Sequence, residues 1–298
     1  MTNQHLKHSF FISLLLILIF PQQILLQTIQ GTPSYVFWTY TNIDAVDLSL
    51  SPSGNLFIIG TDNLIYSLDP HTLQYTPLPN QPTSTPLTIT TYGDDIPFIT
   101  TTCQKIFFLS PTTPFPEWIQ LPGCASHISI SSKGDIWKTG CDSSTKPLGT
   151  FEISKLVCNN KQLLTSFIKD ESYDKESLEK ELKQNCEWMP IEGEAISVVV
   201  DNTSEKDVLY AIVYDGKVMK YVNGSWVIIY HGKAIDIDIS NEGILFIIDN
   251  QGQILRNLSE ELDTWMMLEG RARKISVGPY SLPAIISWIG NHVKISFA

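Results

Sequence analysis

The chain has 298 residues, 43% of them hydrophobic and 17% charged, with a formal net charge of −11 and an isoelectric point near 4.9. That balance argues against nucleic acid as a partner, because neutralising phosphates takes clustered Lys and Arg and no basic stripe is present. The length allows a sizeable core without division into several domains, and no apolar stretch beyond the N-terminus could span a bilayer.

Residues 1–27 begin with a weak positive charge at Lys7, continue through an apolar run at 10–20 and end in Pro21 and polar Gln residues. This is the pattern of a cleaved secretory signal peptide, the run being short for a membrane span of roughly twenty residues; retention as an N-terminal anchor is the alternative. Residues 35–40 (YVFWTY) then read as an aromatic strand with no meander in front of it. At the other end, residues 292–297 read as a third strand lacking a fourth. The two are expected to complete one sheet and remove two exposed edges.

Between these ends one unit recurs, best formed over residues 226–256. Trp226 opens a strand, Ala234 introduces an alternating run, residues 241–243 turn, 245–248 form a second apolar run, 250–252 turn again and 254–256 form a third strand. This is an antiparallel meander. Ala45, Leu48, Ser49, Gly54, Leu56 and Phe57 repeat its frame, as do Trp118, Leu121, Gly123, Ala125 and Ile128. So do Trp188, Ile191, Gly193, Ala195 and Val198, and Trp265, Leu268, Gly270, Ala272 and Ile275. A sixth, weaker copy passes through Leu87 and Ile96, with Pro86 and Pro97 breaking the pattern and Tyr75 standing where other copies have Trp. Units of about forty residues with four short strands predict an all-β fold over residues 35–298, a six-bladed β-propeller of four-stranded antiparallel blades, because such a sheet buries both faces only between neighbours.

Residues 158–186 depart from the repeat. The stretch 174–184 has helix-forming composition, with Leu178 and Leu182 four apart among Glu and Lys, and reads as a helical insertion in the hairpin of blade 3. Its charges fit a solvated helix face; docking of a protein partner there is the alternative.

The pattern W-x-x-[IL]-x-G-x-A, with one extra residue before the Gly in the Trp226 copy, resembles the tectonin β-propeller repeat. That family includes six-bladed secreted lectins such as the fish-egg lectins, and intracellular adaptor proteins. The resemblance implies the propeller and, in its lectin branch, recognition of glycans or glycoconjugates between blades. The residues such recognition would use here are Trp118, Trp188, Trp226 and Trp265, with Tyr230, Lys233, Arg271 and Arg273 on the blade connections. The regularity of the four tryptophans also suits large apolar plates filling the wedge between blades.

Five cysteines in a secreted chain leave one thiol over. Cys158 and Cys186 flank the insertion, and a bond between them would clamp its base, contributing roughly 3 to 4 kcal/mol by chain entropy. Cys124 can pair with Cys103 or Cys141, all three lying toward one ring face. The sequons at Asn202, Asn223 and Asn257 predict surface glycosylation and fit a secreted or endomembrane-lumenal product. There is no zinc spacing, phosphate loop, nucleophile elbow or dinucleotide fingerprint. Asp47, Asp236 and Asp238 fall on innermost strands, where a polar channel lining accounts for them without acid–base work. The expected function is therefore a non-enzymatic carbohydrate-binding protein without metal or cofactor, with a propeller scaffold for protein assembly as the alternative.

Overall fold

A computed structural model of the chain describes residues 36–69, 72–93, 95–110, 116–141, 151–159, 174–201, 203, 208–258 and 264–296. The chain divides into two units, Met1–Thr32 and Pro33–Ala298. The first, with the expected signal segment, lies outside the described residues, as do Tyr35 and Asn202.

The second unit is built almost entirely of β-strands. They are β1 (Trp38–Leu50), β2 (Leu56–Gly60), β3 (Ile65–Leu68) and β4 (Tyr75–Pro77), then β5 (Pro86–Tyr92), β6 (Ile96–Thr101), β7 (Ile106–Ser110) and β8 (Glu117–Leu121). Next come β9 (His127–Ile130), β10 (Ile136–Thr139), β11 (Phe151–Cys158), the helix α1 (Lys175–Asn185) and β12 (Cys186–Ala195). Then follow β13 (Ser197–Asp201), β14 (Val208–Ile212), β15 (Val218–Val222) and β16 (Ser225–Tyr230). Last are β17 (Ala234–Ile239), β18 (Leu245–Asp249), β19 (Gln253–Asn257), β20 (Trp265–Val277), β21 (Pro283–Ser287) and β22 (His292–Ser296).

Three sheets are four-stranded antiparallel meanders: β5 to β8, β9 to β12 and β13 to β16. A ten-stranded sheet joins the rest because two long strands each serve two neighbours. In β20, residues 265–271 pair with β19 and, past a bulge, residues 272–277 pair with β21. In β1, Trp38 to Asp44 pair with β22 and Ala45 to Leu50 pair with β2. The N-terminal strand is thus hydrogen-bonded to the last strand of the chain. Divided at those two bulges, the ten strands give three more four-stranded units.

Apolar patterning explains the stacking of these units. Second strands such as β2 (LFIIG), β6 (IPFITT) and β18 (LFIID) are buried throughout, as strands covered on both faces must be. Six buried clusters each bridge consecutive units. One sets Phe57 and Ile59 against Ile89, Ile99 and Trp118; another returns from the end of the chain, setting Ala284, Ile286 and Val293 against Leu48 and Ile58. The first strands touch in the cyclic order β1, β5, β9, β13, β17, β20 and back to β1. Fully buried rings such as Phe98 and Phe108, stacked 5.2 Å apart, each contribute about 1.5 to 3 kcal/mol.

The helix α1 starts at Asp174, whose carboxylate accepts the Ser177 N–H at 2.9 Å and satisfies a donor that the helix cannot. Its buried Leu178 and Leu182 join the cluster between the second and third units. Glu179 also accepts the Gln120 backbone N–H at 3.0 Å, tying the helix to β8. Trp137 lies buried in β10 as a core residue. Trp288 does not: it follows β21 in a turn, and its ring covers the space beside Gly252.

Candidate functional site

The alanine of the repeat fixes two rings of side chains around the axis. Two residues after Ala45, Pro86, Ala125, Ala195, Ala234 and Ala272 come Asp47, Thr88, His127, Ser197, Asp236 and Lys274. Four residues after come Ser49, Thr90, Ser129, Val199, Asp238 and Ser276. Alternation points both sets the same way, and ten of these twelve line one axial space.

Within it, side chains of one first strand satisfy the backbone of the next. Asp47 accepts the Ile89 N–H at 2.8 Å, Asp236 accepts the Ile275 N–H at 2.7 Å, and Ser129 accepts the Val200 N–H at 3.2 Å. Asp238 accepts both the Val277 N–H at 2.7 Å and the Ser276 hydroxyl at 2.8 Å. The Lys274 ammonium sits 3.3 Å from Asp47 and 3.2 Å from Asp236.

Burial raises the Asp236 carboxyl to about 6, against the opposing pull of Lys274. It raises Asp238 to about 7 despite the hydrogen bonds that carboxyl accepts. Burial pushes Lys274 down, but Asp236 and Asp47 outweigh it and the ammonium is held above the ordinary range. Burial and the Lys274 charge lower His127 to about 3, leaving a neutral imidazole whose Nδ1 has no hydrogen-bond partner. The Ser197 hydroxyl beside it in the ring is also unpartnered.

The axial space forms two adjoining cavities of about 50 and 60 Å³. Each has room for a few waters, at 10 to 15 Å³ or more apiece, and neither approaches the roughly 300 Å³ at which ligand pockets begin. The acidic pair in this channel ties strands together, and the cavities it lines among the described residues are not substrate-sized.

The repeated tryptophans occupy the wedges between units. Trp38, Trp118, Trp188 and Trp226 donate their indole N–H to the carbonyls of Glu269, Pro79, Pro122 and Glu192 in the preceding unit, at 2.6 to 3.1 Å. Three of these carbonyls precede the motif glycines Gly123, Gly193 and Gly270; at the first two the indole fills space a β-carbon would enter, and at Gly270 it lies in van der Waals contact with that space. The fourth precedes Asn80, which adopts the same left-handed backbone, with φ +48°. Trp118 is 2% exposed, which leaves no face for a sugar. Trp265 stacks edge-on against Tyr230 with its Nε1 buried and unpartnered.

The remaining candidates separate. Arg273 donates to the Ala45 carbonyl at 2.6 Å and so latches β20 to β1. Lys233 and Arg271 are exposed on the connections between units, while Tyr230 is half-buried. Cys124 is bonded to Cys141 and Cys158 to Cys186, leaving Cys103 as an exposed free thiol. Asn223 is exposed in the turn between β15 and β16, and Asn257 ends β19.

One feature escaped the sequence reading. The residue immediately after each motif alanine is Val46, Leu87, Ser126, Ile196, Ile235 or Arg273, and in four of the six units a bulge falls at this point. A bulge turns its extra residue out of the ladder. Val46, Leu87 and Ile235 are accordingly 37 to 46% exposed around one mouth of the axis, and Ile196, at the junction of β12 and β13, is 40% exposed beside them. Leu64, Tyr214, Trp288 and Ile289, in turns between second and third strands, emerge on the same side. Hydrogen bonds between those turns and the inter-unit connections, such as Ala234 N–H to Gly216 and Ala272 N–H to Gly252, keep them together. The signal was the fixed place after the alanine.

No family model matches the chain, and no curated protein matches it. Solved structures do. Virginiamycin B lyase from Staphylococcus aureus superposes with a TM-score of 0.52 at 12% identity, covering 88% of this chain and 87% of that one. A streptogramin B lyase superposes at 0.55 and 14%, covering 86% and 82%. The chain folds as a β-propeller. At these identities the likeness is one of fold and does not extend to activity, and the tectonin resemblance of the repeat is matched by no family model. The expectation that the chain is not an enzyme is nevertheless corrected: propellers of this shape include lyases, so lack of a linear catalytic motif does not exclude catalysis. The two disulfides are compatible with an extracellular or lumenal protein. No helix among the described residues is long and apolar enough to cross a membrane.

Proposed function

We propose that the chain is a six-bladed propeller, with the helix-bearing hairpin in its third blade, that binds a protein partner through the face carrying Val46, Leu87, Ile196 and Ile235. The observation that carries this reading is that apolar ring, continued outward by Leu64, Tyr214, Trp288 and Ile289. Contiguous exposed apolar surface is rare on proteins that bind nothing, and aromatic anchors with a charged rim mark interfaces. The rim here is exposed Lys233 and Arg271 on one side and Glu192 and Glu194 on another. Asn223 and Asn257 lie at turns on the opposite side of the ring, so glycans carried there would leave the apolar face clear. The protein acts, in this reading, in an extracellular or lumenal compartment.

Glycan recognition, the first expectation from the resemblance, finds Trp118 buried and the indole N–H groups of Trp188 and Trp226 held by backbone carbonyls, and on this face it would fall to Tyr214 and Trp288. The two readings part experimentally. A photo-crosslinker placed at Ile235 in the native cell, with a control at Asn223, should capture one protein from Ile235 alone. The purified pair should then bind in solution, and Ile196→Glu with Ile235→Glu should weaken binding at least about tenfold. Crosslinks from Asn223 only, or sugar-competed glycan binding with no protein captured, would overturn the proposal.

A further inference from the structure

Three cysteines lie on neighbouring turns at one edge of this face. Cys103 lies in the turn between β6 and β7, exposed and unbonded. The next residue, Gln104, accepts the Ala125 backbone N–H through its carbonyl at 2.9 Å, and Ala125 directly follows Cys124. A single backbone hydrogen bond thus holds the free thiol's turn against the Cys124–Cys141 disulfide. Both bonded cysteines are partly exposed there.

Lys138 supplies a third component. Its ammonium donates to the Cys124 carbonyl at 2.8 Å, lies 4.0 Å from Cys141 Sγ and sits over the Trp188 ring at 4.7 Å. The residue is 6% exposed, so this positive charge acts on the sulfur with little screening by water. Thiol–disulfide exchange is fastest when the departing sulfur is stabilised as a thiolate and the attacking thiol is accessible. Here the turn carrying the exposed thiol is hydrogen-bonded to the chain next to Cys124, and the cation lies beside Cys141 Sγ.

We propose that Cys103, Cys124 and Cys141 form a thiol–disulfide exchange site, with Cys103 as nucleophile, Cys124 as the shared sulfur and Lys138 positioning the leaving group. Cys103 gives its proton to water and its thiolate attacks Cys124 Sγ. The Cys103–Cys124 bond forms as the Cys124–Cys141 bond breaks, and the electron pair leaves on Cys141 Sγ, opposite the Lys138 ammonium. Cys141 then takes a proton from water. One disulfide and one thiol exist before and after, so no oxidant is consumed. The fold accordingly holds two disulfide isomers and offers a thiol at either Cys103 or Cys141.

The test is differential alkylation with peptide mapping of the oxidised full-length protein, incubated at pH 8 for increasing times. Cys158–Cys186, which closes the hairpin carrying α1, is the internal control and should not change. The expected result is growth of a Cys103–Cys124 peptide together with alkylated Cys141. Lys138→Met should slow that growth by about tenfold, the effect of raising a leaving thiol's pKa by about two units. Because a buried lysine variant can fail to fold, Cys141→Ser gives a separate reading: in glutathione redox buffer it should form Cys103–Cys124. The proposal is overturned if Cys103 alone is alkylated at all times, or if Cys103 and Cys124 both stay reduced in Cys141→Ser.

Discussion

Trp226 donates its indole N–H to the Glu192 carbonyl at 2.6 Å, and the same indole nitrogen lies 2.5 Å from where a β-carbon on Gly193 would stand. One contact explains two letters of the repeat: the Trp fills the wedge between blades, and the Gly, at φ +125°, lets it approach. Trp226→Ala should cost about 3 kcal/mol, the low end for burying so large a ring, since its edge is partly exposed. Gly193→Ala should cost about 2 kcal/mol or more, from the clash and from a backbone conformation that Ala resists. Urea denaturation monitored by fluorescence measures both, and a Gly193→Ala variant as stable as the parent would break the link.

Trp265 makes the contrasting case. The copy it faces carries one extra residue before its glycine, so β16 bulges at Ile229, opposite Val218 and Met219, and Tyr230 comes to lie against the Trp265 ring at 5.3 Å. The indole N–H is left buried with no acceptor. Trp265→Phe should therefore leave stability unchanged or slightly raised. Trp226→Phe should cost about 0.5 to 1.5 kcal/mol, the net worth of the bond to the exposed Glu192 carbonyl that it removes. Equal losses in the two variants would show that the bond contributes nothing and only ring volume counts.

The repeat made the strands, their pairing and the polar lining of the axis legible, because a period-two pattern anchored on an alanine states which side chains face inward. Asp47 and Asp236 were visible as channel residues for that reason. Lys274 and His127 occupy the same position in other copies but were not grouped with them, since a basic residue, an imidazole and a carboxylate share no chemistry until the ring brings them within reach. The apolar mouth was hidden more deeply. Ile235 and Ile196 look like core in an apolar run; a bulge beside the alanine turns Ile235 outward, and Ile196 is turned outward at the junction between β12 and β13. The choice of Cys141 over Cys103 as the partner of Cys124 depended on turn geometry that spacing does not encode.

The channel carboxyls predict a specific pH dependence. An Asp in the unfolded chain titrates near 3.9, whereas Asp238 is raised to about 7 by burial. Between those values the folded chain keeps a proton that the unfolded chain has lost, so this group's contribution to stability falls as pH rises from about 4 to 7, by at most about 1.4 kcal/mol per pH unit. Asp236, raised to about 6, acts in the same sense. His127, lowered to about 3, acts oppositely: the unfolded chain gains the proton first, and stability is lost as pH falls below about 6.5. Melting temperatures of the parent minus Asp238→Asn should therefore decrease from pH 4.5 to 7, and those of the parent minus His127→Gln should increase. A pH-independent difference for Asp238→Asn would place its carboxyl in the ordinary range.

The pairing of the chain's two ends predicts a global effect from a local deletion. Trp38, Thr39, Tyr40 and Asp44 pair with β22, and Trp38 donates to the Glu269 carbonyl at 3.0 Å in the preceding blade. A chain beginning at Ala45 keeps every other strand but leaves β22 an open edge and uncovers Leu268 and Ile254, against which Trp38 packs. Because each blade is buried only by its neighbours, the loss should propagate through the ring. We expect the melting temperature to fall by more than about 10 °C, the equivalent of several kcal/mol in a domain of this size, and the transition to broaden. Calorimetry of both chains decides the matter: a truncated chain melting within a few degrees of the full one, and as sharply, would mean that the last strand needs no partner from the first.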